Sequence, residues 1–170
     1  MIRHILFDMD GVLIDSGASI IETNKYVLHQ FGAEVTEEIL KKVVGPPLTV
    51  VYRDYFHFRD EDIPCAIKLY RKKYDDENVS MVTVYDGITE MLKKLSSDYS
   101  LHVATARDEN VAAGLLSKLG INQYFTDING LKQSVRDKSE VIGSIMARFP
   151  KDSPSAFIIL SFANFCTKIR

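Results

Sequence analysis

Residues 5–16 read ILFDMDGVLIDS, an apolar run that leads into two aspartates and a glycine. Residues 5–7 predict a strand buried on both faces, as is typical of a parallel sheet that helices cover on both sides. Such sheets bind ligands beyond the carboxyl ends of their strands, where Asp8 and Asp10 follow, and Gly11 permits a sharp turn beside a bound group. The pattern indicates a nucleophile beside an acid or base, together able to hold a divalent cation. The alternative is a strand with an ordinary Asp-Gly turn.

The composition is that of an ordinary globular protein: of 170 residues, 46% are hydrophobic and 26% are charged, enough for one good core. The formal net charge of −2 offers no basic field, so we expect no nucleic-acid partner. Cys65 and Cys166 lack the spacing of a metal site and are too few for a disulfide scaffold. No apolar stretch approaches the roughly 20 residues of a membrane span, and the amino terminus does not resemble a signal peptide. We therefore expect a cytoplasmic protein with no membrane partner.

The chain contains a helical block inside an alternating α/β pattern. Apolar residues recur at helical spacing in four segments of the block, at about 17–31, 36–44, 48–57 and 60–74. Helices are also predicted at about 88–95, 109–119 and 138–148, and they alternate with short strands at about 101–104, 124–128 and 156–160. This alternation predicts an α/β fold with a parallel sheet and right-handed crossovers. We assign 1–14 and 82–170 to the sheet core and 15–81 to an inserted helical domain, with hinges near 15–17 and 78–83.

The motif Asp8-Met-Asp10-Gly11-Val resembles the first motif of the haloacid dehalogenase-like (HAD) hydrolases, and most closely that of the helical-cap branch containing phosphoglycolate phosphatases and β-phosphoglucomutase. Residues 44–48 (VGPPL) and 84–88 (VYDGI) resemble the Gly-Pro-Pro segment of that cap and its return to the core. Alone, Gly-Pro-Pro indicates no more than a helix breaker. The resemblance extends from residue 2 to about residue 160 and implies a Rossmann-like core with a helical cap that acts as a lid.

The resemblance also implies a division of labour between the two aspartates. Asp8 attacks phosphorus and forms an aspartyl-phosphate, while Asp10 protonates the leaving oxygen and later activates water. The division is physically reasonable, because a carboxyl group beside another carboxylate holds a proton more readily. Mg²⁺ takes oxygen ligands and keeps several waters, so the carboxylate of Asp8, the main-chain carbonyl of Asp10 and a third acid would be enough to bind it.

Thr105 follows the predicted strand at 101–104 and matches the second HAD motif, a strand-end hydroxyl that donates to a phosphoryl oxygen. We expect the amides after it, at Ala106 and Arg107, to lie at the start of the next helix and to add donors for the phosphate. The side chain of Arg107 is a further candidate phosphate ligand, and Gly11 completes the predicted substrate-binding set. Without the resemblance, a threonine at this position more often indicates a helix N-cap.

The third motif is a lysine that offsets the charge of the phosphoryl group and the nucleophile. Lys138 matches it best, because it precedes the amphipathic helix before the last predicted strand. Lys132 is the competing candidate, and either lysine alone indicates an ordinary solvated side chain.

The fourth HAD motif is missing from the sequence. The family places acids just past the last strand, but Phe162 and Cys166 stand at those positions, and no Asp or Glu follows Asp152. The final helix and strand of the family are also absent, so we expect a core that is truncated at its carboxyl end. We therefore predict an impaired Mg²⁺ site, unless another acid such as Asp127 or Asp137 takes over.

These assignments predict a phosphatase that acts on a small phosphorylated metabolite, of the phosphoglycolate or sugar phosphate class. The competing hypothesis is a non-catalytic relative: a pseudoenzyme, a phosphate-binding module or a truncated gene product. Response-regulator receivers also use a strand-end aspartate, but they lack a helical insert between their first two strands. We expect a monomer or a homodimer, since an uncovered strand at 156–160 would invite pairing with a second chain.

Overall fold

The strand that precedes the two aspartates lies inside a four-stranded sheet. In the computed structural model, which describes residues 2–132, 135, 137–149 and 156–160, the sheet has the order β5-β4-β1-β6. Its strands are β1 (Ile2–Phe7), β4 (Ser100–Asp108), β5 (Asp127–Leu131) and β6 (Ala156–Leu160). All three pairings are parallel, so the predicted α/β fold with a parallel sheet is confirmed. Among the described strands, β6 lies at one edge of the sheet.

Burial explains why the opening run forms a strand. Ile5, Leu6 and Phe7 are at most 5% exposed, as expected of a strand covered on both faces. Successive side chains point to opposite faces, and on one face Leu6 packs with Ala104 of β4 against a helix described below. This packing places the carboxyl end of β1, and the aspartates that follow it, inside the sheet unit.

Within the part of the chain that the structure describes, the sheet is accompanied by the helices α5 (Ile88–Leu95), α6 (Glu109–Lys118) and α7 (Lys138–Met146). The side chain of Asp108 accepts hydrogen bonds from two amides of the first turn of α6, and Asp137 does the same for α7. Such N-caps satisfy donors that the helix leaves unpaired. Val141 and Ile145 of α7 are buried against the Leu6 face of the sheet, which fixes α7 across β1 and β4.

The chain divides into two compact units, Met1–Asp15 with Thr83–Arg170, and Ser16–Val82. The sheet unit is interrupted in sequence by Ser16–Val82. On either side of this segment, β2 (Ile14–Asp15) pairs with β3 (Thr83–Val84) in a short antiparallel ribbon. The sequence analysis did not predict this ribbon, because two residues are too few for a detectable alternation of apolar and polar side chains.

The Ser16–Val82 unit is helical. It contains α1 (Gly17–Gln30), α2 (Glu37–Lys42), α3 (Leu48–Val50), a π-helical turn (Val51–Tyr55), α4 (Ile63–Asp76) and a 3₁₀ turn (Asn78–Met81). Thr36 caps α2, accepting a hydrogen bond from the amide of Ile39. No helix within the described residues has the length and apolar character needed to cross a membrane.

Three predicted elements differ from the structure. The helix expected at 48–57 is a single α turn followed by a π turn. The strand expected at 124–128 is instead β5 at Asp127–Leu131, preceded by a 3₁₀ turn. The strand expected at 101–104 continues to Asp108, and this extension changes the surroundings of Thr105.

Candidate active site

The first aspartate lies directly beyond β1. The carboxylate of Asp8 accepts a hydrogen bond from the amide of Met9 at 2.8 Å, and Met9 is fully buried. The chain then turns through Gly11, whose φ of +74° favours glycine, and the Gly11 amide donates to the Ile14 carbonyl at 3.0 Å. The buried strand and the closed turn hold the Asp8 carboxylate at the carboxyl end of the sheet.

Lys138 forms an ion pair with Asp8 through its Nζ and Oδ2. Lys138 is the first residue of α7, and the N-cap Asp137 fixes that helix start by accepting from the amides of Ser139 and Glu140 at 2.8 and 3.0 Å. The Asp8 side chain is only 16% exposed, so the pair is less screened by solvent than a surface ion pair would be. The arrangement places a cation beside the predicted nucleophile.

The competing lysine lies elsewhere in the same unit. The Nζ of Lys132 is 3.0 Å from Oε2 of Glu109, at the start of α6. The geometry therefore favours Lys138 over Lys132 as the cation that accompanies Asp8. Its catalytic role stays a prediction.

Thr105 lies inside β4 and is 1% exposed. Its Oγ1 accepts a hydrogen bond from the amide of Arg107 at 3.2 Å. The next helix begins at Glu109 as predicted, but the expectation that the amides of Ala106 and Arg107 lie at its start is wrong, because these residues continue β4. The N-cap alternative for Thr105 is also wrong, since that cap is Asp108.

Arg107 binds the second aspartate. Its Nε donates to Oδ2 of Asp10 at 2.8 Å and its Nη2 donates to Oδ1 at 2.7 Å, with the two side chains 16% and 25% exposed. This two-bond geometry is the strongest form of arginine–carboxylate pairing. From the sequence, Arg107 was predicted to bind phosphate. Its pair with Asp10 was not predicted, because the two residues are 97 positions apart in the chain.

Two neighbours of the site were not identified from the sequence. Gly130 of β5 lies so close to the backbone after Thr105 that an added Cβ would stand 2.5 Å from the Arg107 carbonyl oxygen. An isolated glycine inside a strand is the sequence signal for such close approach. Tyr85 follows β3, and the pKa of its phenol is raised by partial burial and by the negative charges of Asp15 and Asp10.

The oxygen donors at the end of β1 fit a hard divalent cation. Mg²⁺ binds through one or two carboxylates and keeps several waters, and Asp8 and Asp10 would hold it with a carboxylate and a main-chain carbonyl. Within the described residues, no group of three or more His, Cys, Asp or Glu side chains could hold a metal. The missing acids of the fourth motif, at Phe162 and Cys166, fall on residues 161–170, outside the described residues.

The two acids proposed as replacements have other partners. Asp137 caps α7. Asp127 lies 3.1 Å from both His102 Nδ1 and Arg148 Nη1. Burial raises the pKa of Asp127, but hydrogen bonds from His102 and Asn129 and the charges of His102 and Arg148 outweigh it, so the pKa lies below its usual value.

The chain is similar to known proteins in both sequence and structure. The model of the haloacid dehalogenase-like hydrolase family matches residues 5–159. The chain is 34% identical over 128 residues to the tyrosine-protein kinase PtkA of Mycobacterium tuberculosis, covering 74% of this chain and 43% of that protein. It is 28% identical over 149 residues to the pyrophosphatase PpaX of Listeria innocua, covering 86% of this chain and 67% of PpaX.

The chain therefore spans less than half the length of PtkA. Among solved structures, a haloacid dehalogenase-like family hydrolase from Streptococcus pneumoniae superposes with a TM-score of 0.86 at 26% identity, covering 94% of this chain and 75% of that one. The family match over most of the chain, together with a structural match of this extent, identifies the protein as a member of the haloacid dehalogenase-like hydrolase family.

Proposed function

We propose that the protein is a Mg²⁺-dependent phosphatase that hydrolyses a small phosphorylated metabolite through an aspartyl-phosphate on Asp8. The pairing of Asp8 with Lys138 at the carboxyl end of β1 carries the proposal. A phosphoryl group gains charge on its oxygens during transfer, and catalysis depends on positioned cations and hydrogen-bond donors. In this site the nucleophile has a cation beside it, a buried hydroxyl comes from Thr105, and a second carboxylate follows two residues later.

The reaction would proceed in two steps. The Asp8 carboxylate attacks phosphorus, the bond from phosphorus to the leaving oxygen breaks, and Asp10 gives its proton to that oxygen. Asp10 then takes a proton from water as the water attacks phosphorus, and the bond to Asp8 breaks to release inorganic phosphate. Lys138 and Thr105 stabilise the charge on the transferring group. Asp8 and the Asp10 carbonyl would hold Mg²⁺, which supplies further charge neutralisation when bound.

The relatives support the class of chemistry more than any one substrate. One is named a tyrosine-protein kinase and another a pyrophosphatase, and both names denote phosphoryl transfer. We propose a phosphoglycolate or sugar phosphate substrate, a monomeric or homodimeric protein, and the helical unit at about 15–81 as the substrate-selecting cap.

The second candidate function is that of a non-catalytic phosphate-binding relative. One observation favours it: both oxygens of Asp10 accept hydrogen bonds from Arg107. A carboxylate held by a guanidinium favours its ionised form, which is unsuited to protonating a leaving group. Catalysis requires substrate to draw Arg107 away from Asp10. The acids missing at Phe162 and Cys166 favour the same alternative, because fewer anionic ligands weaken a Mg²⁺ site.

The deciding experiment is hydrolysis of p-nitrophenyl phosphate by the purified chain across a Mg²⁺ titration, with Asp8→Asn as the comparison. We expect turnover that rises with Mg²⁺ and needs high concentrations, and that is lost in Asp8→Asn while the circular dichroism spectrum is unchanged. A BeF₃⁻ adduct detected by ¹⁹F NMR in the native chain but not in Asp8→Asn would support the nucleophile assignment. Most of the activity surviving in Asp8→Asn would refute it, and phosphate binding without turnover would establish the non-catalytic alternative.

A further inference from the structure

Helix α7 connects the site to a second group of polar side chains. Its first residue, Lys138, pairs with Asp8, and Arg148 follows two residues after its last residue, Met146. At 1.5 Å per helical residue, the two side chains are attached roughly 15 Å apart on one stiff segment. Lys138 and Arg148 therefore lie at opposite ends of one short segment of the chain.

Arg148 is held by two residues of β5. Its Nη1 lies 3.1 Å from Oδ2 of Asp127, and its Nη2 donates to Oδ1 of Asn129. Asp127 and Asn129 are two positions apart in one strand, so both face α7. Asn129 is 5% exposed, and its amide also donates to the Val103 carbonyl at 3.2 Å. Two directed bonds to one strand fix the orientation of the guanidinium.

The partner of Arg148 is itself fixed by a buried side chain of β4, which in turn contacts a partly buried side chain of β1. The Nδ1 of His102, a residue only 1% exposed, lies 3.1 Å from Oδ1 of Asp127. The other ring nitrogen of His102 lies 3.1 Å from Nδ1 of His4. Phe149 covers this pair, with its ring centroid 4.1 Å from that of His4 and 5.7 Å from that of His102. Three strands therefore hold the segment that follows α7.

We propose that Arg148 is a positioning residue that sets the place of Lys138 beside Asp8 through α7. The kinetic consequence rests on the proposed function, whereas the geometric consequence does not. Arg148, His102 and His4 received no role from the sequence, because His4 and His102 are 98 positions apart. The structure brings two of them together beneath the end of the helix that carries Lys138.

The kinetic test compares Arg148→Met and Arg148→Lys with the control Arg59→Met. Arg59 likewise has two side-chain partners, the carboxylates of Glu61 at 2.7 Å and Asp62 at 2.8 Å, but they lie in the helical unit. We expect Arg148→Met to lower kcat about ten-fold, since small displacements of a catalytic group are costly, and Arg148→Lys to restore part of it. In a Lys138→Ala background the Arg148 substitution should add nothing. The same loss in both backgrounds would show a merely structural role.

The second test does not depend on turnover. Competitive acylation followed by mass spectrometry measures the reactivity of Lys138, with Lys132 as the internal reference. We expect Arg148→Met to raise the acylation of Lys138 several-fold because its pairing with Asp8 is loosened, and Arg59→Met to leave it unchanged. Unchanged acylation in a folded Arg148→Met protein would refute the inference. Increased acylation in a chain without hydrolysis would support the positioning role and reject the proposed phosphatase.

Discussion

The sharpest stability prediction concerns Gly130, where β5 passes the segment that follows Thr105. A Cβ at this position would lie 2.5 Å from the Arg107 carbonyl oxygen and 2.8 Å from both Cα and N of Glu109. All three are backbone atoms, so no side chain can rotate away to make room. We therefore expect Gly130→Ala to push β5 away from the end of β4.

The magnitude follows from this overlap. Overpacking a well-filled interior costs about 1–3 kcal/mol, and we expect about 2 kcal/mol for Gly130→Ala. For a chain of this size each kcal/mol lowers Tm by about 2–4 °C, so the expected loss is about 4–8 °C. Because the displaced atoms belong to Arg107 and Glu109, phosphatase activity should fall more than stability alone explains.

The chain supplies matched controls for this substitution. Apart from chain neighbours and the backbone of its own helix, neither Gly114 in α6 nor Gly143 in α7 has an atom of the described residues within 4 Å of an added Cβ. Alanine is favoured over glycine inside a helix by about 0.8–1.0 kcal/mol, so Gly114→Ala and Gly143→Ala should raise stability. Thermal unfolding followed by circular dichroism measures all three variants. A Gly130→Ala protein as stable as the native chain would refute the close approach of β5 to the backbone after Thr105. A lower Tm for Gly130→Ala together with a higher Tm for Gly114→Ala and Gly143→Ala would support it.

Three further outcomes are expected. Lys138→Ala should lower kcat/KM for p-nitrophenyl phosphate by about 2–4 kcal/mol in transition-state free energy, while Lys132→Ala leaves it unchanged; the reverse order would reject Lys138. Thr105→Val should lower kcat by a similar amount with little change in Tm, and equal kcat would remove the hydroxyl from the mechanism. Burial and the neighbouring His102 lower the pKa of His4 below 6.5, so His4 takes up a proton more readily in the unfolded chain than in the folded chain. Stability should therefore fall as pH drops below about 6.5, and urea unfolding of His4→Phe should lack that loss.

The features that short sequence patterns specify were predicted well. A short run apolar on both faces is typical of a covered strand, so β1 and the position of Asp8 behind it were predicted from residues 5–7. The bounds of α5 and β6 agree with the prediction, because apolar spacing and flanking turn residues mark both ends. Helix α7 begins at Lys138 as predicted, because the start of a helix depends on contacts between sequence neighbours.

The features that depend on distant residues were missed. The Arg107–Asp10 pair joins positions 97 apart, and the His4–His102 contact joins positions 98 apart. Strand β5 continues past its predicted end at residue 128, because Asn129, which disfavours strands in isolation, is held by the Val103 carbonyl of β4. Tertiary contacts override local preference at these positions.

The small β2–β3 ribbon has a consequence for how the sheet assembles. Phe7 pairs with Val103, 96 positions further along, and closing a chain segment costs entropy that grows with the logarithm of its length. Once the 67 residues of Ser16–Val82 have folded and the ribbon has formed, about 29 flexible residues remain between those partners. The saving is about 1 kcal/mol by this relation. Early folding of the helical unit should thus speed strand pairing about five-fold, and cutting the ribbon would remove that advantage.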